Sequence, residues 1–380
     1  MKSSALVAMA ASVGLVSAAC DFIEGNYYCS KTNKVAFQNV GFSSSYQDVT
    51  SMDENSDAEA DEDCSTTKHV HHKHVKRATA FVTQTVFVDQ YGNTVTSTAT
   101  PSTAAGESYE TTQTNTASVS SNGGAPSAPP TSTSNAQTGD WVRSSYYKPG
   151  TAENCTFLNH HGGSGSGVWS SALGNSLSYA NSDNSGGASS PQILSDVTIE
   201  SNTEFVIMSG LKCGDDSENG DCGFYRKGIP AYHGFSGDTK LFVFEFLMPS
   251  DGSKGFNADM PAIWALNAKI PRTLQYGEAT CSCWKSGCGE LDLFEILHSG
   301  SDKLIAHLHS GQGSNGSGYG GGGSQDYFER PTENSIKAAV IMTGKEIVIK
   351  IVDDDFDSVL TADTVDGWLD ASGTVAKIAN

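Results

Sequence analysis

The stretch "GELDLFEIL" (Gly289 to Leu297) sets three carboxylates, Glu290, Asp292 and Glu295, among apolar residues in one short run. Side chains on a strand alternate between faces, so Glu290 and Asp292 share one face and Leu291 and Leu293 the other. A regular strand would turn Glu295 to the apolar face. One extra residue near Phe294, a β-bulge, would return it to the side of the other two acids, and bulges are frequent beside active sites. Carboxylates held together raise one another's pKa, which costs stability but supplies one ionised and one protonated acid at the same pH. Glycoside hydrolysis requires that division of labour. The competing reading is a solvated strand face, because acids are mostly exposed. The surrounding sequence has to decide between the two.

From Gly139 onward the chain consists of short alternating runs, such as "TKLFVFEFLMP" and "KEIVIKIVD", separated by Gly, Ser, Asn and Asp. That spacing predicts an all-β sandwich with long functional loops and no sustained helical period. The run "GQGSNGSGYGGGGS" lacks the G-K-[ST] ending of a phosphate cradle and reads as a loop at a groove rim. Residues 1–19 carry Lys2, a short apolar stretch and small residues before Cys20, the pattern of a cleaved signal peptide. Residues 20–77 form a small Cys-containing module that ends in an acidic run and the dibasic pair Lys76-Arg77, a processing site in an exposed stretch. Residues 78–138 are a Ser/Thr-rich linker, in which 81–97 add a short β-pairing, and residues 139–380 form the principal domain.

The formal charge of −20 over 380 residues disfavours nucleic acid or anionic lipid as a partner, since phosphate binding needs clustered Lys and Arg. A neutral polymer stays compatible with it. Nine cysteines in a secreted chain read as a disulfide framework, with Cys213 and Cys222 a local bridge around "CGDDSENGDC". The crowded "CSCWKSGC" leaves both a disulfide set and a zinc site open. Asn154-Cys155-Thr156 and Asn315-Gly316-Ser317 fit the N-glycan acceptor pattern, with fuller occupancy expected at Asn315.

Four stretches then occur in order: "FVFEFLMPSDGS", "MPAIWALN", "GCGELDLFEIL" and "AHLHSGQG". Together they resemble the laminarinase-like branch of glycoside hydrolase family 16, with Met260 where that family usually has a tryptophan and with residues 155–230 departing from its pattern. The whole layout resembles the fungal Tos-one-like secreted cell-wall proteins. The resemblance implies a β-jelly-roll (concanavalin-like) sandwich over residues 139–380. It also implies Glu290 as nucleophile, Glu295 as acid/base and Asp292 as the residue that tunes the nucleophile. Trp264 and Trp284 would offer flat faces to sugar rings, and His309 a hydrogen bond to a carboxylate or sugar.

The expectation is a secreted, extracellular cell-wall glycosidase that hydrolyses or remodels β-1,3-glucan by retaining double displacement. It acts as a monomer, without cofactor, metal, nucleic acid or membrane anchor. The alternatives are a glucan transglycosylase, which shares the covalent intermediate, and a non-catalytic glucan-binding wall protein.

Overall fold

The computed structural model describes residues 20–41, 137–162, 177–214, 222, 225, 228–267, 289–313 and 320–379, and the backbone of the short strands 83–88, 169–170 and 174–175. The chain is β-rich, as the alternating runs predict, and its strands form five hydrogen-bonded sheets among the described residues. The largest has nine strands. Along it run Val359–Leu360, Trp141–Lys148, Thr83–Val88, Lys240–Phe246, Ile336–Met342, Glu346–Val352, Lys34–Gln38 and Thr374–Lys377, with Thr151–Glu153 branching from Trp141–Lys148. A five-stranded sheet carries the acids: Ala262–Leu266, Glu290–Glu295, Lys303–Ser310 and Gly320–Gly323 in order, with Phe328–Glu329 also paired to Lys303–Ser310. A four-stranded sheet and two hairpins complete the set.

The expectation of a β-jelly-roll sandwich built from residues 139–380 is therefore corrected. The strands divide among separate sheets, and the largest sheet takes strands from before residue 139 as well as after it. Lys34–Gln38 lies between Glu346–Val352, to which it is antiparallel, and Thr374–Lys377, to which it is parallel. The reason is physical: a period of two tells which face of a strand is buried, not which strands pair.

The alternation itself sorts side chains as it should. Phe244, Phe246, Ala338, Val340, Ile347, Ile349, Val35 and Phe37 of the nine-stranded sheet share one buried cluster with Leu291, Leu293, Leu304, Ala306 and Leu308 of the five-stranded sheet. On the other face of the large sheet, Leu241, Val243, Ala339, Ile341 and Val348 pack with Val365 and Trp368 of the helix Ala362–Asp370. That helix has no counterpart in the sequence expectation. Its start is nonetheless written locally, since the Thr361 hydroxyl accepts from the Thr364 amide at 3.2 Å.

The helix has no basic residue in its last turn. Lys34 supplies the charge from the opposite end of the chain: buried, it donates from Nζ to the Leu369 carbonyl and, at 2.7 Å, to the Ala371 carbonyl. A cation at a helix C-terminus meets the unsatisfied carbonyls there and the negative end of the dipole. No helix among the described residues is long and apolar enough to cross a membrane.

Cys213–Cys222 is bridged as expected, and Cys20–Cys29 closes the hairpin of Asp21–Ile23 and Asn26–Tyr28. The stretch Cys281 to Cys288 lies outside the described residues, as do Lys76-Arg77 and Asn315. Asn154 is held by its own amide, which donates to the Ser144 carbonyl and the Ser145 hydroxyl and accepts from the Gly210 amide.

Candidate active site

The acid strand Glu290–Glu295 pairs on one side with Ala262–Leu266 and on the other with Lys303–Ser310. Asp292 stands opposite His307 and Glu295 opposite Ile305, so Leu293 and Phe294 together face the single residue Ala306. Against the other neighbour the register shifts at the same place, between Ile263 and Trp264. The extra residue is the bulge that the spacing called for. Its effect on side-chain direction follows from the partner strand, where Leu304, Ala306 and Leu308 belong to the buried core. Ile305, His307 and His309 therefore take the other face, and Glu295, Asp292 and Glu290 take it with them. Phe294 is left in the core, against Phe246 and Phe328.

The three acids are almost wholly buried: 1% of Glu290, 0% of Asp292 and 3% of Glu295 is exposed. Acids are rarely buried without partners, because desolvation disfavours the ionised form. Asp292 has His309, whose Nε2 lies 3.0 Å from Oδ2. His309 stacks on His307, with ring centroids 4.4 Å apart and planes at 22°. The bond to Asp292 fixes which imidazole nitrogen points at the acids, and the stack fixes the plane of the ring.

One glycine makes room for that stack, and a second lets its strand lie close to the backbone of its neighbour. Gly321 and Gly323 stand opposite His309 and His307 in the adjoining strand. A Cβ at Gly323 would overlap the His307 ring, and one at Gly321, whose φ is +94°, would overlap the Leu308 carbonyl. The glycine run is thus not wholly a rim loop; its Gly320–Gly323 part is a strand in which Gly323 leaves space for the His307 ring.

Polar atoms of Glu290, Asp292 and His309 lie within 4.8 Å of one another, whereas Glu295 sits beyond the bulge. Two carboxylates and an imidazole are also a set that a cation could use. The other such group among the described residues, Cys213, Cys222 and His233, has its sulfurs in a disulfide. Trp264 is half-buried directly opposite Asp292, on the acid face, while Trp284 lies outside the described residues. Met260 packs against the core. The structure brings Glu290, Asp292, Glu295, Trp264 and His309 onto one face of one sheet.

Sequence reasoning passed over Gly321, Gly323 and Tyr28. Tyr28 packs with Leu297 and Ile305, and Ile305 is the cross-strand neighbour of Glu295. No local signal could have placed it there: Tyr28 contacts His298, 270 residues further along the chain.

Residues 139–368 match the family model described as "Cell wall protein YJL171C/Tos1, C-terminal". A Candida albicans protein named "Probable circularly permuted 1,3-beta-glucanase TOS1" is 48% identical, covering 98% of this chain and 98% of its own length. A Saccharomyces cerevisiae protein with the same name is 44% identical over 100% of this chain and 99% of its own. A third relative, from Schizosaccharomyces pombe and also named a probable circularly permuted 1,3-beta-glucanase, is 51% identical over 63% of this chain and 48% of its own length. No solved structure matches. With its C-terminal region matched by the family model and its full length matched by two relatives, this chain belongs to the Tos1 family of cell-wall proteins.

Proposed function

We propose that this chain is a secreted cell-wall glycosidase that cleaves β-1,3-linked glucan with retention of anomeric configuration. In the first step Glu290 attacks the anomeric carbon while Glu295 gives its proton to the departing glycosidic oxygen, leaving a glycosyl ester on Glu290. In the second, the Glu295 carboxylate takes a proton from water, the hydroxide attacks the anomeric carbon, and Glu290 departs as a carboxylate. Asp292 stands between them and, through its bond to His309, sets the charge and hydrogen bonding beside the nucleophile. Trp264 offers an apolar face to a sugar ring at the same level of the sheet.

One observation carries the reading: three carboxylates are buried together on a bulged strand. Such burial destabilises the fold, and a surface that only holds a neutral polymer has no need of it. The relatives' names support the substrate class, since two proteins similar over the full chain are called 1,3-beta-glucanases. They are also called circularly permuted. A strand from the start of this chain lying between Glu346–Val352 and Thr374–Lys377 agrees with that description. Hydrolysis and transfer to a second sugar share the first step and diverge in what accepts the glycosyl group.

The test is to incubate the full chain with β-1,3-gluco-oligosaccharides of defined length, following products by mass and their first-formed anomer by NMR. Shorter oligosaccharides released as the β-anomer are expected. Longer products would assign transfer, the α-anomer would exclude retention, and unchanged substrate would leave a binding protein.

A further inference from the structure

The hairpin closed by Cys20–Cys29 sits at the Glu295 end of the acid strand. Its inner side chain, Tyr28, is 1% exposed and packs against Leu297 and Ile305. The Tyr28 hydroxyl lies 3.3 Å from His298 Nδ1, and its ring meets the rings of His298 and Tyr327 edge-on. The chain after it is fixed to the strand-bearing region by its backbone. The Cys29 amide donates to Gln325, the Thr32 amide to Tyr327, the Tyr327 amide to Ser30, and the Ser30 amide to the Asp326 carboxylate. Tyr28 is therefore held in place from both ends of its contact.

We infer that Tyr28 is a positioning residue for the general acid, its ring closing water off from the Glu295 end of the site so that this carboxyl keeps its proton. The inference rests on the glycosidase reading above. Removing water disfavours the ionised carboxylate, and so holds the proton to higher pH. The groups facing Tyr28 fit this role. Burial, then the charges of Glu295 and Glu24, push the Tyr28 phenol up to about 12, which keeps it neutral at any working pH. Burial holds His298 below the ordinary histidine range. Lys303 acts in the same direction there, and Glu24 and Asp302 oppose it. Lys303 is itself paired with Asp302 at 3.1 Å. Neutral Tyr28 thus adds no positive charge beside Glu295 that would pull the proton off. Glu290 and Asp292, on the same strand face, oppose its ionisation further.

The test is the pH profile of kcat/KM for β-1,3-gluco-oligosaccharides, measured on the full chain and on Tyr28→Phe, Tyr28→Leu, Tyr28→Ala and Glu295→Gln. Opening the wall lets water stabilise the carboxylate, so Tyr28→Ala is expected to move the alkaline limb toward acid by on the order of one pH unit. Tyr28→Leu should move it less. Tyr28→Phe, which keeps the ring, should leave it in place, and the acidic limb should stay put in all three. A role confined to packing would lower the rate equally at every pH. Glu295→Gln separates the two readings. Retained turnover there removes the general acid itself. Lost turnover together with an unmoved alkaline limb in Tyr28→Ala overturns the role of Tyr28 alone. Where the alanine variant does not fold, Tyr28→Leu is read in its place, with the same consequence. A limb that moves as far in Tyr28→Phe as in Tyr28→Ala also overturns it, because the ring would then not be what matters.

Discussion

The acid strand and the N-terminal segment, residues 20–41, pack together, with Val35 and Phe37 in one core with Leu291 and Leu293 and Tyr28 against Leu297 and Ile305, but they differ in how they arrive there. The strand brings its chemistry in six consecutive residues, paired to near neighbours in sequence. The N-terminal segment brings one tyrosine, one lysine and a strand, each of which finds its partner about 270 to 340 residues later. Reacting groups can be concentrated in a short element, whereas the walls and clamps that hold them can come from anywhere the chain returns to.

The difference can be broken most severely at the strand. Glu290→Gln keeps the shape but cannot attack the anomeric carbon, so turnover should fall by at least roughly 10³-fold, while glucan binding survives. Reducing-end release and equilibrium binding check both halves. Unchanged turnover would remove Glu290 from the nucleophile role and leave it a buried acid whose loss only relieves like-charge repulsion.

Asp292→Asn should cost about 10²-fold in kcat and distort the pH profile, because the amide cannot carry the charge that His309 faces at 3.0 Å. Its melting temperature should not fall. A variant that loses stability without a change in the profile would make Asp292 a structural residue.

At the N-terminal segment the expected effects turn from rate to stability. Lys34→Met removes the charged donor from the Leu369 and Ala371 carbonyls, at a cost of about 1–3 kcal/mol. For a domain of this size that lowers the melting temperature by roughly 2–4 °C per kcal/mol, with kcat per folded molecule unchanged.

The smallest effect concerns the Lys76-Arg77 pair. If the chain is cut there, the strand Lys34–Gln38 remains flanked by Glu346–Val352 and Thr374–Lys377. The described disulfide, Cys20–Cys29, lies within the fragment, and the strand pairings hold the fragment to the remainder. The fragment should co-elute with the remainder on a sizing column, and turnover should stay within about twofold. A fragment that leaves without loss of activity would remove the N-terminal segment from the account of the site.

What was legible in the sequence follows the same division. The alternation of "KEIVIKIVD" and "TKLFVFEFLMP" marks strands correctly, and the spacing of Glu295 from Asp292 gives the bulge, because both are local patterns. That His309 bonds to a carboxylate was legible, but not which one, since the register sets it opposite Glu290 and the bond runs diagonally to Asp292. The sheet arrangement was not legible: nothing in "KVAF" tells that it lies beside residues 374–377, and a stretch read as part of a separate module joins the largest sheet. The glycines at 321 and 323 read as loop residues because what they accommodate lies on another strand, the Leu308 carbonyl for the one and the His307 ring for the other. The helix Ala362–Asp370 was missed because nine residues give only about two and a half turns of period to detect.

In the proposed mechanism Glu290 carries the sugar between the two steps. A β-1,3-glucosyl donor bearing fluorine at C2 of the attacked ring and a fluoride leaving group at its C1 still forms the ester, with loss of that fluoride, but slows its hydrolysis and lets it accumulate. The account predicts a mass increase of one glycosyl unit on the intact chain, mapped by peptide analysis to the segment holding Glu290 and absent from Glu290→Gln. An adduct on Glu295, or none while the parent substrate is still being cleaved, would contradict it.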